Sequence, residues 1–121
     1  MRAAEAAIAD QSPATLYGKK VQTENMTFVR HYEMADGTYA GSNFGDFSKQ
    51  IVGHATEADE QMVLIKMERE GDKKDILLMN FQGHPCFTSS SKKTNLSSDY
   101  IGATRIAVEK ATDMHFIYFL G

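Results

Sequence analysis

The chain has little with which to staple, stiffen or insert itself. Its single cysteine, Cys86, has no second cysteine to pair with in the 121 residues, so a disulfide scaffold is excluded and no redox compartment is indicated. Two prolines and nine glycines are too few for a collagen-like or low-complexity chain. No run approaches the roughly 18 apolar residues that cross a bilayer. Residues 1–9 (MRAAEAAIA) carry Glu5 where a signal peptide needs an unbroken apolar core, and the compartment is left open. Positive charge is also short: 13 Lys and Arg stand against 16 Asp and Glu, and the paired lysines 19–20, 73–74 and 92–93 sit apart from one another. A nucleic-acid partner needs a basic face that this chain does not provide. There is no Gly-x-Ser-x-Gly elbow, phosphate-binding loop, dinucleotide fingerprint or His-Glu-x-x-His pair.

What is present is the apolar content of one globular domain. The Ala-rich residues 1–9 suit a short helix that stops before Pro13. Residues 14–21 and 26–33 are rich in β-branched and aromatic types and read as strands, the second alternating through Thr27, Phe28, Val29, Arg30, His31 and Tyr32. Residues 35–60 hold four glycines without a sustained period and read as a long irregular segment. Residues 61–69 alternate, residues 70–74 form a turn, and residues 75–81 (DILLMNF) are almost continuously apolar. That is a β-hairpin whose second arm has the pattern of a central strand buried on both faces.

Gly83-His84-Pro85 ends the strand. After a polar loop, Ser97 or Ser98 can cap a helix with apolar positions Ile101, Ala103, Ile106 and Ala107, running to about Ala111. Residues 114–120 (MHFIYFL) read as a buried strand that runs straight into Gly121, so the chain reads as an excised piece of a longer one. Strand, helix, strand implies a right-handed parallel crossover. The expected fold is mixed α/β: a central mixed sheet with a β-hairpin followed by a parallel βαβ crossover, helices packed on the sheet.

Three residues stand out as site candidates. His84 follows the C-terminal end of the most buried strand, where open α/β sheets place ligands; the alternative is a strand-end histidine bonded to loop backbone. Arg30 on its alternating strand faces either solvent or a polar site. Asp99 opens the second helix, where free N–H groups and the helix dipole favour a carboxylate, and capping alone would account for it. Cys86 could pair with His84 on a metal, but no second cluster of zinc-finger spacing accompanies it. His115 within its apolar strand reads as a core histidine, and His31 and His54 have no partner pattern.

Taken in order, residues 57–60 (EADE) ahead of the hairpin, Asn80-Phe81-Gln82-Gly83-His84-Pro85 at its end, and Leu96-Ser97-Ser98-Asp99-Tyr100 at the helix start resemble the neutral/alkaline, non-lysosomal ceramidase-like family. There an Asp-containing segment, Asn-x-x-x-His-Pro and Ser-x-Asp follow one another in the same order. The resemblance covers the second half of the chain well. The first half is looser, with residues 28–32 (FVRHY) similar to the family's Asn-Arg segment.

The resemblance implies a zinc-dependent amide hydrolase acting on an N-acyl lipid or other amide. His84 would be one zinc ligand, Arg30 would stabilise a developing oxyanion or the substrate, and Asp99 would orient His84 or its loop. The family's remaining ligands lie in a His-x-His segment before these residues and in glutamate and tyrosine positions after them. The expectation is therefore a central fragment of a catalytic domain, inactive alone, whose partners are the rest of the parent chain and, through exposed strand edges, copies of itself. The competing expectation is a non-catalytic binding or structural domain of the same fold.

Overall fold

Alternation along residues 61–69 and the apolar run of residues 76–81 make the centre of the molecule. In the computed structural model, which describes residues 2–41, 50–88 and 96–121, they are β5 (Gln61–Arg69) and β6 (Ile76–Phe81). The chain before them supplies α1 (Arg2–Ala9), β1 (Ala14–Gln22), β2 (His31–Met34), β3 (Tyr39–Gly41) and β4 (Ile51–His54), and the chain after them α2 (Asp99–Thr112) and β7 (His115–Leu120). The main sheet has the order β1-β5-β6-β7. β1–β5 and β5–β6 are antiparallel, whereas β7 returns through α2 to lie parallel to β6, as a crossover connection requires. The fold is thus the expected mixed α/β, with a hairpin followed by a parallel βαβ unit.

The core is one-sided. Met79, Phe81 and Phe116 are its buried residues, with Met62, Leu64, Leu77, Tyr118 and Val108 of α2 packed around them. α2 lies against β7. It turns Ile101, Thr104 and Val108 inward and leaves Ile106 71% exposed, so the inward stripe differs from the one expected through Ala103, Ile106 and Ala107. Glu109 fixes that rotation, because its carboxylate accepts the Phe116 backbone N–H at 3.1 Å. The helix ends at Asp113, in the left-handed region at φ 55°, whose N–H closes on Glu109 O. Among the described residues α1 packs on no other element; Asp10 just beyond it ties to Arg69 and Lys73.

Three expectations are corrected. β6 has a strand on either side, but only alternate residues, Met79 and Phe81, are buried. β7 likewise buries Phe116 and leaves Ile117, Phe119 and Leu120 exposed. Among the described residues α2 covers one face of the sheet and no element covers the other, so a run of apolar residues that suits two buried faces is given one. His115 is accordingly exposed rather than a core histidine.

Residues 35–60 are not wholly irregular, since β3 and β4 flank β2 in a small antiparallel sheet of order β3-β2-β4. These strands have three and four residues, and the β2–β4 register shifts at Glu33/Met34, which leaves too little regular alternation to read. The strand expected from residue 26 begins only at His31. Ahead of it the Val29 carbonyl accepts the His54 Nδ1–H at 2.8 Å in place of a ladder partner.

Candidate functional site

The parallel pairing of β6 and β7 brings both C-terminal strand ends to the same edge as the N-terminus of α2, the end at which α/β sheets collect ligands. Two tyrosines pin the backbone that leaves β6. Tyr118 Oη donates to Phe81 O at 2.8 Å and lies 3.2 Å from Gly83 O. Tyr100 Oη donates to Gly83 O, and the two hydroxyl oxygens are 2.6 Å apart. Two protons serve these contacts: Tyr118 gives its proton to Phe81 O, and Tyr100 shares its own between Gly83 O and the Tyr118 oxygen. Burial, and then the hydrogen bond to Tyr100, push the Tyr118 phenol well above its ordinary range.

Glycine is required at position 83, because a Cβ there would stand 2.9 Å from Phe81 Cε1 and 3.2 Å from Tyr100 Oη. His84 follows directly. It is exposed, and among the described residues no hydrogen bond or ion pair engages its ring. Among the described residues the imidazole is unused while the backbone behind it is held.

Asp99 sits across the loop. Its Oδ1 accepts the Tyr100 N–H at 2.8 Å, and its Oδ2 accepts the Thr88 N–H at 2.9 Å and the Thr88 hydroxyl at 3.0 Å. These N–H donors, that of Tyr100 foremost, hold the Asp99 carboxyl below its usual range. Asp99 adopts φ 54°, a region in which Asp is among the few tolerated side chains. Its N–H goes to Ser97 Oγ at 3.0 Å, so Ser97 acts locally as the sequence suggests, whereas Ser98 makes no side-chain cap. Asp99 thus ties down Thr88, four residues past His84, and makes no bond to His84 itself.

On the other side Gln82 Nε2 donates to Asp59 Oδ2 at 2.9 Å, and Asp59 Oδ1 accepts the Gln61 N–H. The acidic segment ahead of β5 and the loop after β6 therefore meet, two of the three segments on which the family resemblance rests.

Arg30 lies elsewhere. It is exposed, immediately ahead of β2 in the small sheet, and among the described residues no element of that sheet contacts one of the main sheet. No contact brings Arg30 to His84. His54 has a visible role here, its ring 5.5 Å from Phe28 and 5.1 Å from Tyr32 between centroids while its Nδ1–H holds Val29 O.

A zinc centre needs about three protein ligands. No group of three His, Cys, Asp or Glu side chains comes together among the described residues, so they do not fit a complete metal site, and His84 can supply one ligand at most. Cys86 is exposed and forms no disulfide. The clearest concavity, about 520 Å³, lies at the opposite end of the sheet between the β5–β6 and α2–β7 turns. Most of its charges are paired, Asp75 with Lys66, Lys73 with Asp10 and Lys74 with Asp113, which among the described residues leaves Asp72 as a lone carboxylate in a concavity that is open to solvent.

Tyr100, Tyr118 and Gly83 are the site-forming residues that sequence reasoning missed. A glycine ahead of His-Pro and tyrosines at a helix start and a strand end were readable signals, but their meeting depends on the parallel register. No protein-family model, no curated protein and no solved structure matches the chain.

Proposed function

We propose that this chain is part of a metal-dependent amide hydrolase of the neutral/alkaline ceramidase type, in which His84 is one metal ligand. The observation that carries the reading is the combination of a free imidazole with a pinned backbone at the C-terminal end of β6. A histidine kept only to satisfy loop backbone would be bonded to it, whereas a ligand keeps one ring nitrogen for the metal; the partner that a ligating histidine ordinarily has on its other nitrogen would, like the remaining ligands, have to come from outside the described residues. Because His84 is alone, the reading requires further ligands from residues outside these 121, and this chain by itself is expected to be inactive. Asp99 acts on the loop through Thr88 rather than on the imidazole, which makes it a positioning residue. Arg30 belongs to the active site only if residues outside the chain bring the small sheet to the β6 end.

The absence of a three-ligand cluster among the described residues favours a second reading, a non-catalytic α/β binding domain. The two separate cleanly. The chain and a version extended by its neighbouring codons are assayed for zinc by mass spectrometry and for hydrolysis of a fluorogenic N-acyl amide. The expected result is about one zinc per extended chain, lost together with activity in His84→Ala, and neither property in the 121 residues alone. An extended protein that hydrolyses the amide equally well with His84→Ala would overturn the assignment. An extended protein with neither zinc nor activity would favour the binding domain.

A further inference from the structure

The face of the main sheet turned away from α2 is built like an interior, and among the described residues no element covers it. The registers place Gly18, Ile65, Leu78 and Ile117 in one row across the four strands, since Gly18 pairs with Ile65, Ile65 with Leu78 and Leu78 with Ile117. The row on one side runs Leu16, Met67, Ile76 and His115. On the other side are Lys20, Val63, Asn80 and Phe119. The middle row is wholly apolar, and the polar members stand at the margins. None of these residues is buried: Leu16 is 66%, Phe119 53% and Ile117 40% exposed. Every buried residue of the sheet points to α2 instead.

We propose that this face is a self-association surface on which a second copy of the chain packs sheet against sheet, centred on Ile65 and Leu78. None of the residues in these rows lines the described concavity, and a continuous sheet face suits another sheet rather than a small molecule. Four strands spaced ~4.8 Å apart and six residues long give a footprint of ~400 Å², within the size range of the largest apolar patch on a monomer. With side-chain relief, two such faces bury on the order of 1,000 Å² together, the lower limit for a specific interface and consistent with a micromolar dimer. Charge does not oppose the contact. Arg69, the other cation on this face, is already neutralised by Asp10 at 2.8 Å, and Lys20 lies on the outermost strand, where it can reach solvent.

Sedimentation velocity over a concentration series tests the proposal. The expected result is a reversible monomer–dimer equilibrium that Ile65→Glu and Ile65→Lys each weaken at least tenfold with the circular dichroism unchanged, while mixing the two restores the dimer. Leu16→Glu, at a position already 66% exposed, is the second variant should Ile65 substitutions unfold the chain, and it is expected to weaken the dimer too. Ile106→Glu on the outer side of α2 is expected to leave association unchanged. A monomer at all concentrations, a dimer indifferent to both positions, or open-ended oligomers growing through the free edge of β7 would each overturn it.

Discussion

Replacing Tyr118 by phenylalanine removes one oxygen from the centre of the clamp behind His84 and nothing else. The lost contacts are the 2.8 Å donation to Phe81 O, with the 3.2 Å approach to Gly83 O, and the share of the Tyr100 proton that the Tyr118 oxygen accepts at 2.6 Å. The Phe81 carbonyl is not orphaned, because it also accepts the Gly121 N–H at 3.1 Å, and Tyr100 keeps Gly83 O. With both carbonyls still paired, the cost is that of one net hydrogen bond, about 1 kcal/mol, rather than the larger penalty of a stranded polar group. In a chain of this size that lowers the midpoint of thermal unfolding by ~3–6 °C.

A second readout follows from the raised phenol. A tyrosine that stays neutral in the fold stabilises it fully below the ordinary ionisation near pH 10, and that contribution fades as pH rises and the unfolded chain ionises. The stability gap between the parent and Tyr118→Phe is therefore expected to narrow above about pH 10. Urea denaturation at pH 7 and pH 10.5 measures both. A variant within about 0.3 kcal/mol of the parent at pH 7, with an unchanged gap at alkaline pH, would refute the claim that this hydroxyl holds the β6 exit.

At Asp99 the left-handed backbone and three accepted bonds predict that Asp99→Asn, which tolerates φ 54° and keeps one acceptor oxygen, lowers the melting midpoint less than Asp99→Ala, which loses both; calorimetry giving the reverse order would count against the loop-anchoring role. Asp10, held at about 2 by Lys73 and then Arg69, contributes stability that is present above its unfolded value near pH 4 and lost as pH falls towards 2. Asp10→Asn is expected to flatten that acid limb in a pH series of thermal melts, and 1 M salt to flatten it in part in the parent, because the Asp10–Lys73 pair is solvent-exposed while Arg69 is not.

How much was legible depended on where the signal resides. The hairpin, α2 and the parallel return of β7 could be read because period-2 alternation, a polar turn and helical spacing are local properties. The position of His84 after a buried strand came with them. The small sheet could not be read, because β3 and β4 are short and the 26–30 stretch, which alternates like a strand, gives its Val29 carbonyl to a side chain 25 residues away. The tyrosine clamp was hidden for the same reason: Tyr100 and Tyr118 reach Gly83 only because a helix and a parallel strand return to it. Part of the expectation, the rotation of α2, failed on a single carboxylate, since Glu109 captures the Phe116 N–H and thereby turns Ile106 outward.

The exposed apolar face and the solitary histidine pose separable questions. Ile76 and Leu78 make β6 apolar on its outer side as well as its inner side, and in the structure only the inner residues are buried. Apolar side chains on a sheet face left in water stabilise nothing until something covers them, so that pattern argues for a second layer whether or not the protein is an enzyme. His84 argues for further ligands, whether or not the sheet pairs with a copy. The two demands fall on different parts of the sheet, the outer face and the C-terminal edge. A substitution at Ile65 is therefore expected to change association without touching metal content in the extended protein, and one at His84 to change metal content without touching association. If Ile65→Glu abolished zinc binding in a protein that still folds, the outer layer and the metal site would be parts of one structure, and the assignment of that face to a second copy would have to be given up.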